Sequence, residues 1–544
     1  MKHFDYVICG GGPAGCVLAN RLTEDEGCNV LLLEAGGKDL SPLFHIPAGF
    51  AKMTKGVASW GWSTEPQKHM KGRVLRYTQA KIIGGGSSIN AQLYTRGNAE
   101  DYDAWGRDQN CGGWDYASVL PYFKRAEDNQ YLANDYHSYG GPLGVSRPAA
   151  TLPICDAYIR AGQEIGMPFN PDFNGATQAG VGYYQLTQKN RRRSSASTAY
   201  LRPIQSRKNL TVLYGAFVTT LNLSKSRATG VNVTVRGVSH TYHAREVILT
   251  AGAIGSPKML LQSGIGPEEH LKSVGVDVKH SLSGVGQNLQ DHLDLFVISE
   301  CTGDHTYDNV AKLHRTLWAG LQYVLFRAGP AASSLFETGG FWFADKSARS
   351  PDIQFHFGLG SGIEAGVARL KNAGVTLNSA FLRPRSRGSV TLRSSKPEDA
   401  PRIDPNYLAD PYDRAMSLKG LRLARQIMQQ KALAPFILAE RLPGPDKISD
   451  DELFDYACAN AKTDHHPVGT CKMGTDAQAV VTPDLKVHGL EGLRICDSSV
   501  MPTVPSSNTN GPTIMIAEKG ADLIRGLPPL TSAKIKRMPQ SMPV

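Results

Sequence analysis

The sequence lacks the long apolar runs and the paired cysteines that would point to a membrane-spanning or metal-bound protein. No window reaches the ~18 apolar residues that a spanning helix needs. The nine cysteines are an odd number, and no two of them form a CxxC or another metal-ligand spacing. This usage favours a reducing compartment, and a strand that begins within six residues of Met1 leaves no room for a signal peptide. We therefore expect a cytoplasmic protein, with peripheral contact to the cytoplasmic membrane face at most.

Repeats, low-complexity stretches and clustered basic faces are also missing. The formal net charge is +10, yet the basic residues are scattered except at 191–193 and in a tail that contains Lys534, Lys536 and Arg537. Nucleic-acid binding needs a basic face with aromatic platforms, so we expect no nucleic-acid partner. The positive charge indicates either attraction to anionic membranes or a solvated basic surface. The length of 544 residues predicts two lobes, and the pattern indicates no particular oligomeric state.

A strand followed by a glycine-rich turn opens the chain. The apolar run 6–9 leads into Gly10-Gly11-Gly12-Pro13-Ala14-Gly15, and the apolar run 30–33 ends at Glu34. Gly10 allows a tight turn, Gly12 leaves room for a pyrophosphate, and Gly15 lets the following helix pack closely. The N-terminus of that helix would face the phosphates, and Glu34 could accept hydrogen bonds from a ribose. The pattern predicts a dinucleotide site, against the alternative of a glycine turn without a ligand, and does not separate NAD from FAD.

Four further segments combine glycines with hydroxyl, amide or imidazole side chains. They are Gly84-Gly85-Gly86-Ser87-Ser88-Ile89-Asn90, the segment 252–266, His465-His466-Pro467-Val468-Gly469-Thr470, and the segment 497–513 with Ser507-Asn508-Thr509-Asn510. Strands are predicted at 210–213, 231–235, 246–249, 353–357 and 389–392. Helices are predicted at 413–430 and around 514–518. Because the glycine segments are far apart in sequence, a nucleotide domain assembled from discontinuous pieces is expected.

Taken together, the five segments resemble the glucose–methanol–choline (GMC) family of flavoproteins over about residues 4–526. Trp60-Gly61-Trp62 and the segments 284–292 and 405–408 resemble its bacterial alcohol and choline dehydrogenase branch. The resemblance implies an α/β plus α+β fold, with a Rossmann-like FAD-binding domain built from discontinuous segments. It also implies a substrate-binding lobe with a mostly antiparallel sheet and flanking helices. We expect the FAD-binding domain at 1–150, 205–300 and 463–530, the substrate-binding domain at 151–204 and 301–462, and a basic C-terminal tail at 531–544.

The resemblance implies FAD rather than NAD as the cofactor. It places Gly10, Gly12, Pro13, Ala14 and Gly15 at the pyrophosphate, Glu34 and Ala35 at the adenosine ribose, Val218, Ala251 and Gly252 at the adenine end, Asp497 and Ser498 near the ribityl chain, Gly86, Asn90, Ala91, Leu93 and His465 along the flavin ring, and Thr509 and Asn510 at its pyrimidine edge. Some members bind FAD covalently through a histidine where this chain has Ile89, whose alkyl side chain cannot form that bond. Noncovalent FAD is therefore predicted. Gln79-Ala80-Lys81 departs from the Arg-Gly-Lys of many relatives and loses one charge that could neutralise phosphate.

His466 matches the catalytic histidine of the family, and Asn508 matches its partner. Oxidation of a primary alcohol removes a hydroxyl proton and a hydride from one carbon, and flavin N5 accepts the hydride. Imidazole titrates near neutral pH and can take the proton as general base. A neighbouring amide can orient the substrate oxygen and stabilise developing alkoxide charge. The alternative is that His466 is a core histidine satisfied by hydrogen bonds.

The neighbours of His466 leave alternatives open. His465 could tune the flavin, donate to the substrate or fill a slot where relatives place Tyr or Trp. Asp464 favours a dehydrogenase over an oxidase, unless it forms a surface salt bridge. The adjacent histidines suggest a metal, but no acid or cysteine cluster has ligand spacing, so no metal is predicted. Tyr94 and the residues Phe355, His356 and Phe357 could line the substrate cavity, although alternation there also fits a half-buried strand.

The leading hypothesis is an FAD-dependent alcohol dehydrogenase that converts a primary aliphatic or aromatic alcohol into the aldehyde. Its partners would be a small-molecule alcohol and a quinone-type electron acceptor. An oxidase that forms hydrogen peroxide shares every motif. A choline dehydrogenase would need an aromatic cage with an acid, for which Trp60 and Trp62 are candidates. A lyase that keeps FAD as a structural element is an alternative of another class, and an NAD-dependent dehydrogenase would explain the first segment alone.

Overall fold

The computed structural model describes residues 3–364 and 366–535. These residues form an α/β structure with two seven-stranded sheets, each of which carries its own large apolar core. Lys536 and Arg537 of the predicted basic tail lie outside the described residues, whereas Lys534 lies within them. None of the helices in the described ranges is both long and apolar enough to cross a bilayer.

The first sheet carries the glycine-rich turn. In spatial order its strands are Leu210–Tyr214, Val30–Glu34, His3–Cys9, Val238–Leu249, Arg227–Val235 and Ala216–Ser224, and Leu493–Ile495 also pairs with Val238–Leu249. The first four strands and Leu493–Ile495 run parallel, and an antiparallel hairpin extends the sheet. Parallel strands covered on both faces are apolar throughout, as in the run 30–33. The strands predicted at 210–213, 231–235 and 246–249 are confirmed.

The second sheet is antiparallel, as expected for the substrate lobe. In spatial order its strands are Ile437–Leu442, Leu293–Cys301, Gly374–Phe381, Ile353–Gly358, Thr338–Trp342 and Gly180–Tyr183, and Lys462–Thr463 pairs with Leu293–Cys301. The strand predicted at 353–357 is confirmed here, and the one at 389–392 is observed as Ser389–Thr391 in a small sheet with Arg402–Asp404. The helix predicted at 413–430 is observed as Pro411–Met428, and it packs on this sheet.

Helices cover both sheets. The α-helices of the described part are Pro13–Leu22, Phe50–Met53, Ala99–Asp108, Tyr116–Ala126, Pro153–Glu164, Gly252–Gln262, Glu268–Ser273, Leu313–Phe326, Pro411–Met428, Asp450–Asn460 and Asn510–Arg525. The helix Pro13–Leu22 follows the glycine turn directly and packs against Asn510–Arg525, the helix predicted around 514–518. This contact brings the two ends of the sequence to the same face of the first sheet.

Three segments near the predicted domain boundaries can be assigned to one of the two cores. The strand Leu293–Cys301 belongs to the second sheet, because both of its edges bond to strands of that sheet. Residues Ala196, Tyr200 and Leu201 pack in the first core. At the other end, Ala533 N donates to Ala117 O, so residues 531–535 lie against the first lobe. The division into discontinuous domains at 1–150, 205–300 and 463–530 and at 151–204 and 301–462 stays a prediction.

Candidate active site

The glycine turn and the His466 segment lie at one continuous cleft. Of the predicted site residues, the cleft is lined by Gly10, Gly12, Pro13, Ala14, Glu34, Ala35, Gly86, Asn90, Ala91, Leu93, Val218, Ala251, Gly252, His465, His466, Asp497, Ser498, Asn508, Thr509 and Asn510. Gly15 packs behind the turn instead. The structure therefore brings five segments that are far apart in sequence to one surface.

Close backbone contacts require glycine at two positions of the turn, Gly10 and Gly15. Gly10 has a φ of +118°, a conformation that side chains rarely adopt, and a Cβ on it would lie 2.7 Å from Thr250 O. A Cβ on Gly15 would lie 2.0 Å from Gly10 O, so only glycine lets the helix approach the turn this closely. Gly12, by contrast, meets nothing nearer than 3.6 Å, which leaves its cleft side open.

Glu34 holds the glycine turn in place through hydrogen bonds from the backbone. Its carboxylate accepts hydrogen bonds from Gly11 N (2.8 Å) and Gly36 N (2.6 Å). Burial raises the pKa of Glu34, and the two backbone donors oppose that rise. The side chain also lines the cleft. It can therefore hold the glycine turn in shape and still offer lone pairs to a ligand hydroxyl.

Asp497 plays a similar part at the helix Gly252–Gln262. One carboxylate oxygen accepts from Gly252 N (2.8 Å) and Ser256 Oγ (2.5 Å), and the other accepts from Ser499 N (2.8 Å). This bonding joins the segment 497–499 to the first turn of the helix. Burial raises the pKa of Asp497.

The lining of the cleft fits a long polar ligand such as a dinucleotide. Among the described residues, several buried lining atoms have no hydrogen-bond partner, for example Thr54 Oγ1, Thr78 Oγ1, Gln262 Oε1, His465 Nδ1 and Asn510 Oδ1. Buried polar groups are normally paired, so these atoms indicate a ligand that pairs with them. Gly86 and Gly252 face open space where a Cβ would otherwise stand. The cleft thus has both room and unpaired polar atoms along its length.

The segment around Ile89 packs against apolar side chains and is also held by hydrogen bonds from Arg193. Ile89 packs with Phe44, Met53 and Ile82 while it also lines the cleft. Asn90 Oδ1 accepts from Arg193 Nη1 (2.6 Å), which also donates to Ser87 O (3.2 Å). The arginine run noted in the sequence is therefore split, because Arg193 is buried against this loop while Arg191 and Arg192 are exposed.

Sequence reasoning missed several residues at the Val218 end of the cleft. Phe217, Lys258, Met259 and Gln262 line it there. Lys258 Nζ donates to Pro397 O (2.7 Å), and burial lowers the pKa of Lys258 to about 8. Residues 258, 259 and 262 continue the face of the helix that begins at Gly252, so helical spacing was the available signal.

Trp60 and Trp62 do not stand beside the predicted catalytic pair. Their rings stack on each other with centroids 5.0 Å apart, and Trp60 also packs against Phe217. Lys81 Nζ lies 4.5 Å from the Trp60 ring centroid. Both rings are thus engaged by protein groups at the Val218 end of the cleft, and the structure does not support them as a cage for a quaternary ammonium at His466.

His466 and Asn508 meet at the other end of the cleft. Asn508 Nδ2 donates to His466 Nε2 at 3.0 Å. The amide is oriented by two donors to its oxygen, Thr95 Oγ1 (3.1 Å) and Gln354 Nε2 (3.0 Å). The amide nitrogen therefore points to His466 at the cleft, and the His356 ring is a further hydrogen-bonding neighbour of Asn508.

A second histidine fixes the tautomer of His466. His292 Nε2 lies 3.0 Å from Leu382 O, and a carbonyl can only accept, so this nitrogen carries a hydrogen. Burial lowers the pKa of His292 to about 4, so the ring is neutral and its Nδ1 has a lone pair. His466 Nδ1 lies 3.0 Å from that lone pair and donates to it. His466 Nε2 is then unprotonated and faces the cleft, as a general base requires.

Asp291 holds the backbone that carries His466. Its side chain accepts from His466 N (2.7 Å), from Thr463 Oγ1 (2.6 Å) and from the hydroxyls of Tyr77 (2.8 Å) and Tyr407. Burial raises the pKa of Asp291, and these donors oppose the rise. His465 between them has a φ of +60°, an unusual conformation for a residue with a side chain. The position of His466 is thus fixed by a buried carboxylate rather than by a regular element.

A cluster of carboxylates lies next to His466. Lys462 Nζ is 2.6 Å from Asp294, 3.1 Å from Glu364 and 4.0 Å from Asp464. Asp464 Oδ2 is 3.3 Å from His466 Nδ1, so the alternative of a surface salt bridge for Asp464 is wrong. Burial and the neighbouring Asp294 raise the pKa of Asp464 well above its usual value. Burial also lowers the pKa of His466 well below its ordinary value, since charge is costly there.

Two groups of histidine and aspartate side chains at this cluster are close enough to hold a metal ion. His292, Asp464 and His466 offer ligand atoms that all lie within 4.8 Å of one another, and so do Asp294, His356 and Asp464. The acids have no metal-ligand spacing along the sequence, as stated above. In the folded chain, however, the second sheet brings acids that are distant in sequence close together. The hydrogen bonds of His292 and His466 already use these nitrogens within the protein.

Of the residues predicted to line the substrate cavity, some face the cleft and others face a core. His356 lines the cleft, whereas Phe355 and Phe357 are buried in the second core, because side chains of a strand point alternately to opposite faces. Tyr94 is buried in the first core, and its hydroxyl accepts from Arg96 Nε (3.2 Å). Phe50 and Phe336, which sequence reasoning missed, line the cleft in their place.

Comparison with known proteins agrees with this architecture. A family model described as GMC oxidoreductase matches residues 4–294 and 384–517. The chain is 42% identical over 539 residues to the mitochondrial choline dehydrogenase of Homo sapiens, covering 97% of this chain and 91% of that one. It is 40% identical over 530 residues to an alcohol dehydrogenase (acceptor) of Pseudomonas putida, covering 96% and 95%. An FAD-dependent oxidoreductase from Chaetomium thermophilum superposes with a TM-score of 0.88 at 26% identity, covering 96% and 99%.

Proposed function

The chain belongs to the GMC oxidoreductase family, and we propose that it oxidises a primary alcohol, aliphatic or aromatic, to the aldehyde with noncovalently bound FAD. The observation that carries this proposal is the unprotonated Nε2 of His466 beside the Asn508 amide, at one end of the cleft that begins at the glycine turn. The relatives named for alcohol and choline oxidation support the reaction class.

The cleft residues would hold FAD as the family resemblance implies. Gly10 and Gly12 would face the pyrophosphate, Glu34 the ribose, and the loop around Asn90 the flavin ring. FAD, when bound, supplies the acceptor for the hydride. Ile89 in place of a nucleophilic side chain supports noncovalent binding.

The protein's own part is to hold the substrate oxygen and to take its proton. The alcohol oxygen would replace the Asn508–His466 hydrogen bond, and the N–H of Asn508 released in this way would donate to it. His466 Nε2 then removes the hydroxyl proton, while His466 Nδ1–H remains held by His292. Because burial disfavours the imidazolium, the proton must be passed on for the base to act again.

A cationic alcohol such as choline is the second candidate substrate. Three carboxylates, those of Asp294, Glu364 and Asp464, surround the single cation of Lys462, and the latter two acids line the cleft. The raised pKa of Asp464 keeps that group protonated. The carboxylates of Asp294 and Glu364 still exceed the one cation of Lys462, and this negative excess beside His466 would favour a positive substrate. The aromatic neighbours for such a group would be Phe50 and Phe336 rather than the tryptophans.

We further propose a quinone-type electron acceptor rather than dioxygen. The relative from Pseudomonas putida is named for an acceptor. Asp464, which lies 3.3 Å from His466, brings no positive charge that would stabilise negative charge on dioxygen. An oxidase with the same first half-reaction is the alternative that the experiment must exclude.

The test is the visible spectrum of the purified protein, titrated without oxygen with 1-octanol, benzyl alcohol and choline and then exposed to air. Loss of the flavin bands with an alcohol, and slow return in air that a soluble quinone accelerates, is expected. Fast return with peroxide formation would make the protein an oxidase. Flavin bands that no alcohol changes would overturn the proposal and favour the lyase, and reaction with choline alone would select the second substrate.

A further inference from the structure

The helix Leu313–Phe326 turns an apolar face away from the protein. Ala319 and Tyr323, one turn apart, are its buried residues. Successive residues advance by about 100° around a helix, which places positions 314, 317, 318, 321, 324 and 325 on the opposite face, with 313 at its edge. The apolar members of this outward face are Leu313, Leu317, Trp318, Leu321, Val324 and Leu325, whose exposed fractions run from 47% to 76%, and His314 is its one polar member.

This polarity is the reverse of that of an ordinary surface helix. A helix on a soluble protein buries its apolar stripe and exposes polar residues. Here the outward stripe spans the whole helix, and Phe326 at its end is also exposed, at 70%. Exposed apolar patches of this extent mark contact with another apolar phase or surface.

Basic residues border the apolar face. Lys312 and Arg315 lie at the start of the helix and Arg327 at its end, all exposed. Of these, Arg315 is paired with Asp304, whose Oδ2 accepts from Arg315 Nη1 (2.5 Å). Arg191 and Arg192 stand beside the end of the helix, since Tyr323 Oη donates to Arg191 O (2.9 Å) and Arg191 Nη1 lies 3.4 Å from Arg327 O. The sequence of the helix itself contains no aspartate or glutamate. An apolar face with Trp and a basic border is typical of helices that lie in the headgroup region of a bilayer.

We propose that the helix Leu313–Phe326 with Arg191, Arg192 and Arg327 is a docking surface for an anionic lipid bilayer. The apolar face enters the boundary between headgroups and acyl chains, and the arginines bind lipid phosphates. We favour a lipid bilayer over a second copy of the chain as the binding partner of this face. Both ends of the face carry positive charge, and contact between two copies would bring these like charges together.

The docking surface adjoins the alcohol end of the cleft. The turn Pro330–Ala332 packs on the helix and on the turn Pro47–Gly49. The segments that follow these turns contribute Phe336 and Phe50, which pack edge to face at 5.9 Å and line the cleft. Resting on the proposed function, this placement would let a lipophilic acceptor pass from the bilayer to the cleft.

The experiment measures co-sedimentation with vesicles of phosphatidylcholine that contain phosphatidylglycerol, at low and high salt. The variants are L321E and the double variant R191E/R192E, with I448E as matched control because Ile448 is 67% exposed on another part of the surface. Binding of the unchanged chain and of I448E is expected, with roughly tenfold or greater weakening in L321E and strong salt dependence. Trp318 fluorescence should shift to shorter wavelength on binding, and the W318F variant should lack most of that shift.

Two results would overturn the proposal. One is equal sedimentation of L321E and I448E, or none for any form at low salt. The other is a stable dimer in gel filtration that L321E converts to a monomer, because a second copy would then cover the face. Turnover with a water-soluble acceptor should be unchanged in L321E, so a failure of vesicle binding is distinguishable from a failure of the proposed reaction.

Discussion

At the scale of single residues, the chemistry of the site depends on where a few hydrogens lie. Leu382 O can only accept, and this fixes His292 Nε2–H, His466 Nδ1–H and finally the lone pair of His466 Nε2. Every member of this series is neutral because burial lowers the pKa of both histidines. A carbonyl on a neighbouring strand end thus determines which nitrogen can act as base.

Replacement of His466 by alanine tests the base itself. Turnover with the best alcohol should fall by roughly 10²–10⁴-fold while FAD remains bound, because the imidazole takes the proton and holds no part of the nucleotide. Steady-state kinetics and the flavin absorbance of the purified variant measure the two quantities. The exposed His240 gives the matched control H240A, which should behave as the unchanged chain. Turnover of H466A within a factor of about two of the control would remove His466 from the mechanism.

His292 acts through His466, so it is a positioning residue with a distinguishable signature. H292L removes the acceptor for His466 Nδ1–H and should lower kcat about 10–100-fold. H292Q keeps an acceptor for His466 and a donor for Leu382 O, and it should recover most of that loss. The pH profile is the second readout, since only H292L frees the tautomer of His466. Equal kcat values and profiles for the two variants would show that His292 only fills space.

The pH dependence of the reaction follows from the same burial. Because burial lowers the pKa of His466, the base is unprotonated well into the acid range. The value of kcat/KM for an uncharged alcohol should therefore stay constant as the pH falls through ~6.5, the ordinary imidazole value, and decline only at lower pH. Measurement with benzyl alcohol from pH 8 downward gives the profile. A decline centred at ~6.5 would mean that the base is not the buried imidazole.

The sequence identified the pair His466 and Asn508 by motif but gave no sign of their surroundings. His292 lies within the segment 284–292 that was noted only for its resemblance, and its contact with His466 depends on the pairing of two strands. The sequence leaves a surface position open for Asp464, because spacing along the chain does not show which strands become neighbours. Motifs with fixed local geometry were predictable, and contacts across a sheet were not.

At the scale of elements, the helix Gly252–Gln262 shows which cleft residues helical periodicity can predict. Its first residues were predicted to line the cofactor site, and Gly255, Met259 and Gln262 line it further along the same face. A step of three or four residues from Gly252 would have found them. The strand Leu293–Cys301 is a contrasting case, since an apolar run does not reveal which of two sheets it joins.

Gly15 offers a test of the element contact beneath the cleft. G15A places a Cβ 2.0 Å from Gly10 O, so the helix Pro13–Leu22 must move away from the turn. We expect loss of most bound FAD and a cost of ~1–3 kcal/mol in stability. The measurements are the flavin-to-protein absorbance ratio and the thermal midpoint. G320A is the control, because a Cβ on Gly320 meets nothing within 4 Å and alanine favours a helix; G15A with the flavin content of G320A would contradict the argument.

At the scale of the whole molecule, two cores enclose a cleft that holds many titratable groups away from water. His292, His356 and His465 are neutral there, since burial lowers their pKa values to about 4, about 4 and about 3. Keeping these imidazoles neutral lowers the free energy of unfolding only at a pH where the unfolded chain binds protons that the folded chain does not. The catalytic arrangement therefore has a consequence for the stability of the entire chain.

Stability should decrease as the pH falls from ~6.5 towards 4, by up to ~1.4 kcal/mol per pH unit for each buried histidine. The sign follows from the lowered pKa values, because the unfolded chain binds more protons than the folded one in this window. Asp464 acts in the opposite direction, since its raised pKa keeps a proton in the folded state. The thermal midpoint measured from pH 7.5 to 5 should fall for the unchanged chain and fall less steeply for H356Q, which removes one of these groups. Equal slopes for both proteins would show that His356 takes no part in the acid sensitivity.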